Sequence, residues 1–126
     1  MNFIFVGLGG AVGAMLRYAL SMLPNKTEFP IWTLVTNLIG AVAIGFIAQT
    51  AIRKGLSNNA VLFLKTGLCG GFTTFSTFSL EAYTLFHKGA AGLGSLYAAA
   101  SVVLCIGGIV LGTWLANMVV SGAGTD

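Results

Sequence analysis

The chain has 126 residues, of which 56% are hydrophobic and only 7% are charged. A soluble domain carries about 25% charged residues, so this composition predicts an integral membrane protein rather than a soluble one. The net charge of +3 is small and scattered, which excludes a nucleic-acid-binding surface. His87 is the only histidine, so no metal-binding spacing exists, and Cys69 and Cys105 are expected to be buried free thiols.

Four apolar segments are long enough to cross a bilayer, which takes about 20 helical residues. They lie at 3–23, 31–52, 60–86 and 93–120, and short connections join them. The sequence therefore predicts an all-α, multi-pass membrane protein with four transmembrane helices in a single domain, 1–126. The first segment lacks a positively charged start, so it is expected to stay in the membrane rather than be cleaved as a signal peptide.

The first segment contains Gly9 and Gly13, whose spacing is typical of a close contact between two helix backbones. The glycine pattern also resembles a dinucleotide-binding fingerprint, but Val12 takes the third glycine position and no strand precedes it. Arg17 lies near the far end of the segment, where a charge is costly. Two interpretations of Arg17 remain open: an anchor for lipid headgroups, or a charge that draws anions to a pore mouth.

The second segment places Thr33 and Asn37 on one helix face, because they are four residues apart. A carboxamide in an apolar span must find hydrogen-bond partners. Asn37 therefore either holds helices together or directs its N–H donors at an anion. Ala41 and Gly45 give the same helix a close-packing edge.

The third segment contains the most unusual stretch, GLCGGFTTFSTFSLE at 67–81. Each glycine weakens a helix by about 1 kcal/mol relative to alanine, and the threonines offer the backbone competing hydrogen bonds. We therefore predict that this helix breaks near Gly70–Thr73. Broken backbone at membrane depth must be buried in protein or line a wet cavity. The alternative is an unbroken helix with a glycine-rich packing face.

After the break, Phe75 and Phe78 lie on one helix face, with Ser76 and Thr77 between them. The edge of a phenyl ring is electropositive, so two rings can face an anion without holding it tightly. Glu81 is the only carboxylate within the predicted spans. It is expected near a helix end, where it is exposed or hydrogen-bonded.

The fourth segment places Tyr97, Ser101 and Cys105 at successive i+4 positions, and Gly108 and Gly112 continue near the same side. This face carries a phenol, a hydroxyl and a thiol, followed by small residues. It either packs against another helix or lines a conduit, and the two interpretations are compatible.

The basic residues are divided evenly between the two sides of the predicted membrane domain. A clear excess of Lys and Arg in the cytoplasmic loops normally fixes orientation. Equal numbers of Lys and Arg on the two sides predict that the chain inserts in both orientations and pairs with an inverted copy of itself. Inverted repeats are paired in the same way within many transporters. The residues are Arg53, Lys54 and Lys65 on one side and Arg17, Lys26 and Lys88 on the other.

The polar groups in the spans are amides, hydroxyls and ring edges, without a pair of acids. A cation path uses carbonyl cages or acidic rings, so this set favours a small, strongly hydrated anion. The carbonyls released near Gly70–Thr73 need a positive partner. Two such breaks, brought together by a pair of chains, would offer oxygen ligands to a hard cation.

The stretches at 67–81, 9–17 and 33–41 (TLVTNLIGA) resemble the Fluc (CrcB) family of fluoride channels, over essentially the whole chain. The resemblance implies an antiparallel, dual-topology homodimer in the lipid bilayer with two fluoride pores and a structural sodium ion at its centre. It also implies passive fluoride export across the inner membrane of a bacterium, which relieves fluoride toxicity.

The resemblance also assigns residues to these roles. The sodium ligands are the backbone carbonyls at Gly70 and Thr73, and Arg17 and Thr33 belong to a vestibule or wall. Relatives often have a serine where this chain has Cys105, and a thiol is a weaker donor. The implied fluoride pathway consists of Asn37, Phe75, Ser76, Thr77, Phe78, Tyr97, Ser101 and Cys105.

Other classes fit the sequence less well. A proton-coupled exporter of the small-multidrug-resistance type, the main alternative, carries a membrane-embedded glutamate in its first span, and this chain has none there. An assembly subunit would need the glycines for packing alone. An enzyme would need a base–nucleophile pair or a metal cluster, neither of which the spacing provides.

Overall fold

The computed structural model describes residues 2–123, and all regular structure within that range is helical, as predicted. Helix α3 is a continuous run of three stretches, the middle one π-helical. The elements are α1 (Asn2–Ser21), α2 (Ile31–Lys54), α3 (Asn58–Val61, Leu62–Cys69 and Gly70–Phe72), α4 (Phe75–His87) and α5 (Ala91–Ala123).

Within residues 2–123, three helical stretches are long and apolar enough to cross a membrane: Asn2–Ser21, Ile31–Lys54 and Ala91–Gly122. The third predicted crossing is divided between α3 and α4. Large apolar side chains such as Phe3 and Val103 project from the outer faces of the helices. Such faces are stable in lipid and not in water, so the chain is a multi-pass membrane protein.

Helices α1 and α3 pack backbone against backbone through glycine. A methyl group on Gly13 would collide with the Leu68 carbonyl oxygen. From the other side, a methyl group on Gly71 would collide with the backbone of Gly10. The close helix contact predicted from Gly9 and Gly13 is therefore confirmed, and its partner surface on α3 is also built from glycine.

Helices α2 and α5 form a second extensive helix pair in residues 2–123. A methyl group on Gly112 would collide with the Val42 carbonyl oxygen, and one on Gly108 would lie 3.3 Å from the Ala41 Cβ. A methyl group on Gly45 would collide with the Ile109 carbonyl oxygen. The small-residue edge predicted on α2 therefore meets the glycines of α5.

The predicted break is present and lies at the C-terminal edge of the predicted range. Thr73 and Thr74 have extended backbones, with φ/ψ of −84°/157° and −149°/117°, and α4 begins at Phe75. Gly70 and Gly71 stay helical. The two glycines therefore do not unwind the helix. The small size of Gly71 serves the contact with α1, whereas a methyl group on Gly70 would meet no atom within 4 Å.

The two threonines terminate one helix and start the next. Thr73 Oγ1 donates to the Cys69 carbonyl at 2.9 Å, which satisfies the last turn of α3. Thr74 Oγ1 accepts from the Thr77 amide at 3.1 Å and so caps α4. The π-helical stretch Leu62–Cys69 has no counterpart in our sequence predictions.

Candidate functional site

The break between α3 and α4 opens onto a surface groove of about 420 Å³. Helices α2, α3, α4 and α5 all contribute to it, because the two glycine-mediated helix pairs bring them around the break. The groove brings together seven of the site residues that the resemblance implies: Asn37, Gly70, Thr73, Phe75, Phe78, Ser101 and Cys105.

Asn37 holds the break to α2. Its Oδ1 accepts a hydrogen bond from the Thr74 amide at 2.8 Å, and its Nδ2 donates to the Thr74 carbonyl at 3.1 Å. An amide nitrogen carries two hydrogens, so one donor remains beyond the bond to Thr74. The sequence left two roles open for Asn37, holding helices together or donating to an anion. Asn37 fills the first role, and its second N–H remains for the second.

The C-terminal end of α3 presents backbone carbonyl oxygens. The Thr74 amide would close the helical turn onto the Gly70 carbonyl, but it donates to Asn37 instead. The Thr73 amide still reaches the Cys69 carbonyl at 3.0 Å. A helix C-terminus carries partial negative charge, and a set of neutral oxygens suits a hard cation, so the residues present fit sodium.

Arg17 points into the protein rather than towards lipid headgroups. It is half-buried, and its Nε donates to the Gly71 carbonyl at 3.2 Å. It also lines a small cavity of about 60 Å³, whose walls include Thr33, Thr36 and Thr77. Thr74 lines both this cavity and the groove, so both spaces border the break.

The two phenylalanines of the motif both line the groove. The Phe75 side chain is 79% exposed, whereas Phe78 is half-buried. Their ring centroids lie 5.6 Å apart with an interplanar angle of 47°. An aromatic side chain with this exposure in a membrane protein meets either lipid or a second protein surface.

The polar face predicted on α5 is divided between two environments. Ser101 is 93% buried (7% exposed) and lines the groove, and its Oγ finds no hydrogen-bond partner among residues 2–123. Cys105 also lines the groove and is half-buried, so our expectation of full burial holds only for Cys69. A buried unpaired hydroxyl is costly, so the Ser101 Oγ is a polar group beside the groove that still needs a partner.

Tyr97 is completely buried and lies behind Phe78, with ring centroids 5.1 Å apart. Its hydroxyl donates to Glu81 Oε1 at 3.1 Å. The expectation that Glu81 lies near a helix end is wrong, because it lies in the middle of α4. Its hydrogen bond, the other part of that expectation, is present.

Thr74 lies in the candidate site, although our sequence reasoning did not assign it there. Its Oγ1 lies 3.3 Å from the Ser76 Oγ and donates to the Thr77 Oγ1 at 3.1 Å. Ser76 is exposed and Thr77 is half-buried, so the three hydroxyls form a polar row beside the break. A threonine just before a resumed helix is typical of an N-cap, which was the available signal.

Comparisons with known proteins agree with the resemblance seen in the sequence. Residues 4–113 match the family described as CrcB-like protein, Camphor Resistance (CrcB). The chain is 45% identical to the fluoride-specific ion channel FluC of Ruminiclostridium cellulolyticum over 125 residues, which cover 96% of each protein. It is 42% identical to the protein of the same name from Roseobacter denitrificans over 121 residues, covering 92% of this chain and 95% of the relative.

A third relative, the fluoride-specific ion channel FluC of Granulibacter bethesdensis, is 39% identical over 126 residues, covering 97% of this chain and 99% of the relative. These names describe ion channels and not enzymes, in agreement with the absence of a predicted active site. The match to the family extends from the first helix well into the last. The chain therefore belongs to the CrcB-like family of membrane proteins.

Proposed function

We propose that this chain is a subunit of a fluoride-selective passive channel that exports F⁻ across a bacterial inner membrane and so relieves fluoride toxicity. The names of its relatives support fluoride as the ion. The groove is the observation that carries the proposal, because it brings together two phenyl rings, the Asn37 amide and the unpaired Ser101 hydroxyl at the break. Each of these groups suits an anion that accepts hydrogen bonds.

Fluoride leaves its hydration shell only if the protein supplies replacement donors. In this proposal the Ser101 hydroxyl and the second Asn37 N–H provide them, and the edges of Phe75 and Phe78 add weak attraction. Weak contacts at several points allow an ion to leave as easily as it enters. Cys105 continues the path as a poorer donor.

The wall of the path extends beyond the groove. Arg17 supplies the positive charge nearest the break, and Thr33 lies across the small cavity from it. Ser76 and Thr77 continue the polar row from there, and Tyr97 supports Phe78 from behind. The positive charge of Arg17 attracts anions towards this end of the path.

The proposed channel is a dual-topology homodimer in which each chain, 1–126, contributes a single membrane domain. The groove lies on the surface of one chain and is lined by polar residues such as Asn37, Thr73 and Thr74, whose polar groups lipid cannot satisfy. An inverted second copy would cover these groups and close each groove into a pore. The even charge count of the sequence supports insertion in both orientations.

In this proposal a sodium ion lies where two breaks meet, held by the backbone carbonyls of Gly70 and Thr73 of each chain. The bound ion supplies fixed positive charge and joins the subunits. Asn37 prepares the site by occupying the Thr74 amide, and Arg17 occupies the Gly71 carbonyl. Replacing sodium by a large organic cation during purification is expected to weaken the dimer, and unchanged assembly would contradict this ion site.

Fluoride efflux from liposomes at symmetrical pH, with chloride as the control ion, tests the channel. We expect rapid passive fluoride flux, which Phe75→Ile or Phe78→Ile reduces while the dimer still forms. Phe3→Ile is the matched control, since Phe3 is 90% exposed and far from the groove in sequence. Unchanged flux in both groove variants would rule out the ring-edge mechanism, and absent flux in the unmodified protein would rule out the channel.

The second candidate is a proton-coupled exporter. Glu81 favours it, because a carboxylate in a predicted span with a Tyr97 hydroxyl bonded to it is a plausible proton carrier. The same liposome experiment separates the two, since an exporter moves fluoride only when a proton gradient is present.

A further inference from the structure

Phe29, in the loop between α1 and α2, packs against the buried Tyr97. The two ring centroids lie 5.5 Å apart with an interplanar angle of 80°, an edge-to-face arrangement. Tyr97 contacts Phe78 in turn, and Phe78 contacts Phe75. A continuous row of four rings therefore runs from the loop to the open groove.

The loop is folded so that Phe29 has a fixed position. Its carbonyl accepts hydrogen bonds from Asn25 Nδ2 and from the Ile31 amide, each at 2.8 Å. The Oδ1 of Asn25 accepts from the Thr27 amide at 3.1 Å, which closes a local turn. Trp32 Nε1 donates to the Pro24 carbonyl at 3.0 Å and fastens the start of the loop to α2.

The ring of Phe29 packs this loop onto the helices, whereas the charges of the loop add little. Glu28 and Lys88 form an ion pair at 3.0 Å, but their side chains are 65% and 42% exposed, and exposed pairs contribute little. Phe29, by contrast, packs partly buried against the apolar cluster of Leu34, Leu85 and Tyr97.

We propose that Phe29 is a positioning residue for the anion path, acting through Tyr97 on Phe78. The inference rests on the proposed channel function. Phe29 touches neither the groove nor the ion, but its ring limits how far Tyr97 can tilt. Without it, Tyr97 has room to move away from Glu81, and Phe78 loses the surface that fixes its angle to the path.

Phe29→Leu tests this role, with Phe3→Leu as the control for a ring that lies outside the row. An edge-to-face pair contributes enough to change a rate about threefold to tenfold, so we expect fluoride efflux to fall by that factor. We also expect chloride leak relative to fluoride to rise while the dimer persists, and Phe29→Tyr, which keeps the ring, to restore the fluoride-to-chloride ratio. A purely structural role would lower the amount of folded dimer without changing this ratio.

A second measurement tests the route through Tyr97. In a Tyr97→Leu background, Phe29→Leu is expected to cause no further loss of flux, because the connecting ring is already absent. If the two substitutions reduce flux independently, so that their effects multiply in the double variant, the proposal is wrong. It is also wrong if Phe29→Leu and Phe3→Leu conduct fluoride at the same rate. If Phe29→Leu fails to fold, Phe29→Met provides the same comparison with a side chain of similar volume. Absence of flux in the unmodified protein would instead refute the channel function, and this inference with it.

Discussion

Asn37 pairs with the backbone of Thr74 through both of its polar atoms, at 2.8 Å and 3.1 Å. This single side chain connects α2 to the junction of α3 and α4. It also accepts the hydrogen bond of the Thr74 amide, which would otherwise close a helical turn onto the Gly70 carbonyl. The position of the break and the availability of a carbonyl for a cation therefore have the same cause.

Asn37→Leu removes both bonds while keeping the size of the side chain. Leaving buried backbone groups unpaired costs about 1–3 kcal/mol, so we expect a lower thermal midpoint and a large loss of fluoride flux. Gln49→Leu is the matched control, since Gln49 is also a half-buried amide on α2 but bonds Asn117, away from the break. Wild-type flux in Asn37→Leu would show that the Thr74 pairing is dispensable.

Gly13→Ala tests the contact between α1 and α3. The added methyl group would collide with the Leu68 carbonyl, a backbone atom that has no room to rotate away. Overpacking of this kind costs about 1–3 kcal/mol, so we expect a lower thermal midpoint and less monodisperse protein.

Gly7→Ala is the control on the same helix. Nothing lies within 4 Å of a methyl group there, and alanine favours a helix over glycine, so we expect equal or higher stability. Equal losses of stability in the two variants would mean that α1 does not pack on α3 in this way.

The helices and their contacts were largely predictable, because hydropathy marks long apolar segments and glycines four apart mark close helix pairs. The existence of a break was also predictable, since Thr73 and Thr74 offer the backbone alternative partners. The position of the break was less predictable. Gly70 and Gly71 both stay helical, and α1 requires a small residue at Gly71 because the Gly10 backbone packs there. A long-range contact of that kind leaves no local trace in the sequence.

The partners of the polar side chains were not predictable for the same reason. Asn37 and Thr74 are 37 residues apart, and Arg17 and Gly71 are 54 apart. A sequence indicates that a buried amide or guanidinium needs a partner but not which backbone group provides it. Helical spacing likewise predicted that Tyr97 lies on the same face as Ser101. It did not predict that Phe78 and Phe29 pack around Tyr97 and bury it.

Replacing Arg17 separates its two possible contributions, a bond to Gly71 and a positive charge near the path. Arg17→Gln lacks the charge, so we expect fluoride efflux to fall about threefold to tenfold at low ionic strength. The deficit should shrink in high salt, because the screening length falls from about 30 Å at 0.01 M to about 3 Å at 1 M. Both Arg17→Gln and Arg17→Lys lose the Nε bond and should unfold at lower temperature.

Arg17→Lys keeps the charge and should retain most of the salt-dependent flux. Initial efflux rates measured at several ionic strengths decide between the contributions. If Lys and Gln variants conduct equally at every salt concentration, Arg17 acts only through the Gly71 carbonyl.

The even distribution of Lys and Arg predicts that added charge fixes the orientation of the chain. Asn58 and Asn59 are exposed at the start of α3, so Asn58→Lys with Asn59→Lys adds two charges to that side. Loops rich in Lys stay in the cytoplasm, so we expect every copy to insert with this loop inside. Copies with one orientation cannot form an inverted pair, and fluoride flux should be lost.

His87→Lys with Gly92→Lys biases the opposite side, and a side chain at Gly92 meets open space. Each variant alone should be inactive, because an antiparallel pore needs one chain of each orientation. Co-expression of the two should restore flux, since each supplies the orientation that the other lacks, and tags on the chain termini report the orientations directly. Asn58→Gln with Asn59→Gln controls for the loss of the asparagines. Full activity of a variant whose copies all face one way would contradict the inverted dimer, because a parallel pair would then be sufficient to close the groove.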